Sequence, residues 1–121
     1  MNRLIILLIF SLPACSVEAQ DTIKHRYYLV GDAGEMQNGK HPVCDWLKNN
    51  MKGDIIYLGD NIYPQGMPDE TAKSYKTAKE IIDRQVSVVK DKNTSAWFVN
   101  GNHDWKKGKK DGWEYAKNIS R

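Results

Sequence analysis

The sequence predicts an α/β fold, a parallel sheet flanked by helices in the order strand, helix, strand, helix, strand. Three observations predict it. Short runs of aromatic and branched apolar residues recur along the chain: Tyr27-Tyr28-Leu29-Val30, Ile55-Ile56-Tyr57-Leu58 and Trp97-Phe98-Val99. Continuous runs of this kind suit parallel strands buried on both faces. The stretches between them carry apolar residues at helical spacing. Each run then gives way to a polar cluster: Gly31-Asp32-Ala33-Gly34, Gly59-Asp60-Asn61-Ile62-Tyr63 and Gly101-Asn102-His103-Asp104. In open α/β sheets, sites form in loops beyond the carboxyl ends of the strands.

The first strand is expected over residues 26–31, and the polar residues 35–40 form a loop. A helix starts near His41-Pro42, because proline in the first turn lacks only an N–H that would have no partner there. Val43, Trp46 and Leu47 give that helix an apolar face, Met51 extends it and Gly53 stops it. The second strand covers residues 54–59, followed by a Pro/Gly-rich loop over residues 61–68. Asp69 stands where it can cap the longest helix, expected over residues 70–90. Tyr75, Ala78, Ile82 and Val89 share one face of it, with Ile81 and Val86 beside them. Lys73, Lys76, Lys79 and Glu80 read as its solvated face. The third strand covers residues 95–100, and the polar tail from Lys106 has Trp113 and Tyr115 as apolar anchors. Crossovers between parallel strands are right-handed, and helices are expected to cover both faces of the sheet.

A chain of 121 residues makes at most one small domain. Residues 1–19 read as an export signal, with Arg3 as the positive region, an apolar core over residues 4–10, and small residues beyond. That core is too short for a permanent membrane-spanning helix. Two cleavage readings stand. Leu12-Pro13-Ala14-Cys15 resembles a bacterial lipobox, which would leave a lipidated Cys15 attached to a membrane; Val17-Glu18-Ala19 fits an ordinary signal-peptidase site. Either way the protein is exported, as a secreted or periplasmic protein or as a membrane-anchored lipoprotein, and residues 20–121 form the folded part. The net charge of +3 does not call for a nucleic-acid partner. Beyond Cys15 the only cysteine is Cys44, so the mature chain has no internal disulfide, and Cys44 is expected as a buried core residue.

Each polar cluster alone could be a turn. Together, Asp32, then Asp60 with Tyr63, then Asn102 with His103, at the same end of successive strands, supply hard oxygen ligands for a two-metal centre. Asp60, with two carboxylate oxygens, is the natural bridge between two ions. Tyr63, whose ordinary pKa is about 10, can ligate as phenolate where a trivalent cation holds it deprotonated. The Asn102 side-chain carbonyl is a neutral ligand suited to a divalent ion.

Over residues 27–105 these motifs resemble the calcineurin-like metallophosphoesterase superfamily, and within it the purple acid phosphatases. The first three motifs of that branch are GDxG, GDxxY and GNH followed by Asp or Glu. Gly34 stands where most other relatives carry histidine, and Tyr63 is present as the compensating ligand, which points to this branch rather than to nucleases or protein phosphatases. The resemblance implies the βαβαβ N-terminal half of an αββα sandwich. It implies a ferric ion held by Asp32 and Tyr63, Asp60 as bridge, and Asn102 on a divalent iron, zinc or manganese. It implies that His103 contacts phosphoryl oxygens or protonates the leaving group, and that Asp104 orients His103. The implied reaction is in-line attack of a metal-bound hydroxide on a small phosphate ester, with His103 as general acid.

The branch's last two motifs, VxxH and GHxH, have no counterpart among His25, His41 and His103, the histidines of this chain. His25 precedes the first strand and His41 opens a helix, and both read as structural. The chain is therefore expected to be the N-terminal piece of such a domain, to bind metal weakly, and to turn over poorly or not at all. Two other readings stay open: a phosphodiesterase or nuclease of the same superfamily, and a non-catalytic fragment whose motif residues persist from a catalytic ancestor. Lys106, Lys107, Lys109 and Lys110 read as a solvated basic loop or as a lure for anionic substrate. Trp105 and Trp113 are expected to pack that loop down.

Overall fold

The computed structural model describes residues 22–90 and 92–119. Residues 1–19, read above as an export signal, and Cys15 among them, lie outside the described residues.

The three apolar runs become β1 (Tyr27–Val30), β2 (Asp54–Tyr57) and β3 (Ala96–Phe98), one parallel sheet in the order β1-β2-β3. Val30 pairs with Tyr57 and Tyr57 with Phe98, so all three chains leave the sheet at one level. The coarse α/β expectation holds. The strands are shorter than their apolar runs, although Leu58 N–H still donates to Val30 (2.8 Å) and Val99 N–H to Tyr57 (2.8 Å).

Helix α1 (Pro42–Asn50) begins as expected, with Pro42 in the first turn. His41 caps it: ring Nδ1 accepts the Cys44 N–H at 3.2 Å. The buried residues are His41, Cys44, Leu47 and Met51. Val43 and Trp46 were expected on this face but are 50% and 57% exposed. Each lies one residue, about 100° around the helix, from a buried position.

Helix α2 (Tyr75–Val86) is shorter at both ends than expected. Asp69 does not cap it. Its carboxylate instead accepts the Thr71 N–H (3.0 Å) and hydroxyl (2.7 Å), closing a local turn before the helix begins. At the far end, Val88 and Val89 donate to Gln85 and Val86, the tighter i→i+3 pattern. Ala78, Ile81, Ile82 and Gln85 are its buried residues, while Val86 is exposed. Its solvated face carries the pairs Lys79–Asp83 and Arg84–Glu80.

With the order β1-β2-β3, two right-handed crossovers advance the same way across the sheet and set both helices on one face. Burial agrees. Ile55 and Tyr57 are fully buried, Tyr28, Val30, Ala96 and Phe98 pack beside them, and the Tyr57 and Phe98 rings stack at 4.7 Å. On the other face Tyr27, Leu29, Leu58, Trp97 and Val99 are exposed. The expectation of helices on both faces is thus corrected.

The tail passes through a 3₁₀ turn (Lys106–Gly108) into α3 (Gly112–Ile119). Here Gly112 and Ala116 are buried, whereas Trp113, expected as an anchor, is exposed and touches Trp105 at the surface with ring centroids 5.7 Å apart. Lys106 is not a free member of the basic loop: it pairs with Asp111 and lies 4.3 Å over the Tyr115 ring. Among the described residues no helix is long and apolar enough to cross a membrane.

Candidate metal centre at the strand ends

The level exit of the three strands brings their polar loops together. The pairing of β1 with β2 continues past the strands, because Asp32 N–H donates to Gly59 (3.2 Å) and Gly34 N–H to Asp60 (2.9 Å). Gly34 is packed so closely that a Cβ there would lie 2.6 Å from the Asn61 carbonyl carbon and 2.7 Å from the Asp60 oxygen. No side chain, histidine included, fits at this position in this backbone. Gly101 meets β2's loop in the same way, since a Cβ would lie 2.3 Å from the Asp60 amide nitrogen.

Asp32 and Asp60 share an uncommon backbone conformation, with φ of 53° and 54°. Aspartate visits this left-handed region more readily than most residues, but at a conformational cost. In both cases the chain turns sharply at the strand end, leaving Asp32 exposed and Asp60 half-buried against the third loop. The Tyr63 hydroxyl lies between them, 2.6 Å from Asp32 Oδ1 and 3.1 Å from Asp60 Oδ2. One phenol hydrogen is shared by two carboxylates. The hydrogen bond to Asp32 above all, then burial, then the bond to Asp60, raises the Tyr63 pKa above its ordinary value. Tyr63 in this state is a donor; a cation seated among the three oxygens would take the place of its proton.

His103 closes the cluster. Its backbone N–H donates to Asp60 Oδ1 (2.9 Å), its ring lies 4.4 Å from the Tyr63 ring, and Nδ1 is 2.8 Å from the Pro64 carbonyl oxygen. A carbonyl only accepts, so Nδ1 carries the hydrogen and Nε2 is left for proton exchange.

Asp104 does not orient His103. Its fully buried carboxylate turns inward and accepts from the N–H groups of Asn61 (3.0 Å), Ile62 (3.1 Å) and Gly101 (2.9 Å), and from the Asn61 side-chain amide (2.9 Å). It ties the second loop to the third, and the ring of His103 is held by Pro64 instead. Asn102 is exposed; its carbonyl accepts the Lys107 N–H at 2.8 Å, and among the described residues no hydrogen bond joins its side chain to Asp32, Asp60 or Tyr63. The structure therefore gathers Asp32, Asp60, Tyr63 and His103 at one place, sets Asn102 at its edge and puts Asp104 beneath it.

The other histidines serve the fold. His25 Nε2 lies 2.7 Å from Asp54, whose pKa is lowered first by the Ser95 N–H and then by His25. His41 is buried between α1 and the Ala33 carbonyl. Cys44 is buried beside Tyr57, and burial raises its pKa to about 11.

Sequence reasoning missed Gln85 and Asn61, both fully buried at the root of the site. Gln85 did leave a signal: it is the polar residue in the apolar stripe 78, 81, 82, 85, 88, 89.

Asp32 and Asp60 enter no ion pair among the described residues, so the two carboxylates lack a cationic side chain. The His103 ring, turned to the Pro64 carbonyl, does not join the two carboxylates as a third ligand, and no group of three or more His, Cys, Asp and Glu side chains is gathered for a metal among those residues. The cluster is two carboxylates and a phenol, hard oxygen donors for part of a coordination shell. In comparisons with protein-family descriptions, curated proteins and solved structures, no match to this chain was found.

Proposed function

We propose that the strand-end cluster is the metal-binding part of an exported phosphate-ester hydrolase of the calcineurin-like type, in its purple acid phosphatase-like branch. The observation that carries this reading is the Tyr63 hydroxyl held between Asp32 and Asp60. Two carboxylates without an ion-pair partner among the described residues, together with a phenol, suit a hard cation. Asp32 and Tyr63 would hold a ferric ion, Asp60 would be shared, and the Asn102 amide would reach a divalent ion. When bound, such a pair supplies a nucleophilic water at neutral pH and neutralises charge on the phosphoryl group. The rest falls to the chain's own residues. Pro64 fixes the His103 ring through Nδ1–H, which leaves Nε2 as the nitrogen that would take up a second proton and, as imidazolium, give it to the leaving oxygen. Asp104 contributes by holding the second and third loops in register.

A second reading, a non-catalytic chain, is favoured by one observation: the gathered donors fill only part of a shell. One experiment separates the two. The protein is titrated with Fe(III), Zn(II) and Mn(II), and hydrolysis of p-nitrophenyl phosphate and its bis ester is followed. The proposal expects weak uptake, a visible charge-transfer band with Fe(III) that Tyr63→Phe abolishes, and slow but metal-dependent cleavage of the monoester, as a part-filled shell implies. Uptake without turnover selects the non-catalytic reading, and preference for the diester selects a phosphodiesterase. No uptake of any of the three ions sinks the metal site itself.

A further inference from the structure

The two aspartates that face each other across the site are followed by carbonyls that point at one side chain. Gln85, fully buried on α2, donates through Nε2 to the Ala33 carbonyl (3.2 Å) and to the Asn61 carbonyl (2.6 Å). Ala33 follows Asp32 and Asn61 follows Asp60, and both aspartates have left-handed backbone. One amide therefore grips the residue after each turn. A left-handed aspartate persists only where its surroundings over-determine it, and this amide supplies the same restraint to both. Gln85 is itself fixed, because its backbone carbonyl accepts the hydroxyl of Tyr57, the last residue of β2, at 3.0 Å. Both amide hydrogens are spent on the loops, while Oε1 is buried without a partner among the described residues. The orientation of the amide is thus set by what it donates to.

We infer that Gln85 is a positioning residue: by holding the carbonyls of Ala33 and Asn61 with one amide, it sets the separation of the Asp32 and Asp60 carboxylates and so the affinity of the cluster for a cation. This rests on the metal-site reading above. Groups that orient metal ligands without touching the metal typically cost about 10–100-fold in affinity when removed. Gln85→Met keeps the length and loses both donors. Gln85→Glu keeps the shape and turns oxygens toward the two carbonyls.

The test uses Tb(III), a hard trivalent ion whose luminescence is sensitised by a tyrosine beside it. Wild type is expected to bind Tb(III) with a signal that Tyr63→Phe removes. Gln85→Met and Gln85→Glu are expected to bind about 10–100-fold more weakly while still unfolding cooperatively. Leu47→Ala, which opens a cavity in the same core but deletes no hydrogen bond to either loop, is expected to bind as wild type does. Equal affinity in folded Gln85 variants, or an equal loss in Leu47→Ala, overturns the inference. A second measurement needs no variant. Adding diamagnetic La(III) to 15N-labelled wild type is expected to shift the Gln85 side-chain amide resonances. Binding that leaves them unmoved refutes the role of Gln85 but spares the metal site; no binding of either lanthanide by wild type removes the metal site and this inference with it.

Discussion

Along β1, Tyr28 and Val30 turn into the core, whereas Tyr27 and Leu29 stand 59% and 63% exposed. Along β3, Phe98 stacks on Tyr57 while Trp97, its neighbour, faces outward and reaches toward Tyr27 with ring centroids 6.4 Å apart. The two faces of the sheet are equally apolar in sequence but unequal in surroundings. Apolar strand residues do not say which face is covered; the direction of the crossovers does. The covered face also roots the candidate site, through Tyr57 to Gln85 and from Gln85 to the loops of Asp32 and Asp60. Substitutions on the two sides are therefore expected to separate sharply.

The largest effect is expected where burial and site meet. Asp104→Ala removes the acceptor of the Asn61, Ile62 and Gly101 N–H groups. Each buried donor left unpaired costs about 1–3 kcal/mol, and three together rival the total stability of a small domain. The expected result is loss of the cooperative thermal transition in circular dichroism. A transition close to that of wild type would mean that the loops are held by something other than this carboxylate.

Next comes a matched pair across the sheet. Ile55→Ala, on the covered face, is expected to cost about 2–5 kcal/mol in urea unfolding. Leu29→Ala, on the bare face, is expected to cost under about 0.5 kcal/mol beyond any change in strand preference. Equal losses would erase the distinction between the faces.

Much of this arrangement was legible in advance, for identifiable reasons. Continuous apolar runs located the strands, Pro42 located the start of α1, and the polar clusters stood out because each directly follows a run. What failed depended on choices between nearby alternatives. Val43 and Trp46 are one residue out of the buried register of α1. Asp69 prefers a bond to its own neighbour Thr71, the local competition that short polar side chains offer a helix. Asp104 and His103 are adjacent in sequence but leave a tight loop toward opposite sides, one inward to Asn61 and one toward Pro64. Coverage of one face follows from two crossovers taken together, which no single segment reveals.

Cys44 tests the covered side by chemistry rather than by deletion. Its pKa, raised mainly by burial to about 11, lowers the thiolate fraction at pH 8 by about 100-fold relative to its ordinary value. Alkylation by iodoacetamide is expected to slow at least as much and to recover in denaturant. The raised pKa also carries a sign for stability. The contribution is complete below the unfolded value near 9.0 and is lost as pH rises toward about 11. Reaction at the rate of a free thiol would show that α1 lifts readily off the sheet.

The smallest expected effect on stability is on the bare face, and it is the most discriminating. Leu29→Lys and Trp97→Lys place a charge where the residues they replace are already 63% and 46% exposed. A lysine stem still lies along a strand surface while its ammonium stays in water, so the loss is limited mainly to strand preference, about 1 kcal/mol or less. Neither substitution reaches the Tyr57–Gln85 connection, so metal binding should be unchanged. What should change is the surface itself. Tyr27, Leu29, Leu58, Trp97 and Val99 together form an apolar patch of the kind that binds the dye ANS, and each lysine should weaken that binding. If either substitution instead destabilised the protein as Ile55→Ala does, the face would be covered in solution, and the contrast between the two sides of the sheet would have to be given up.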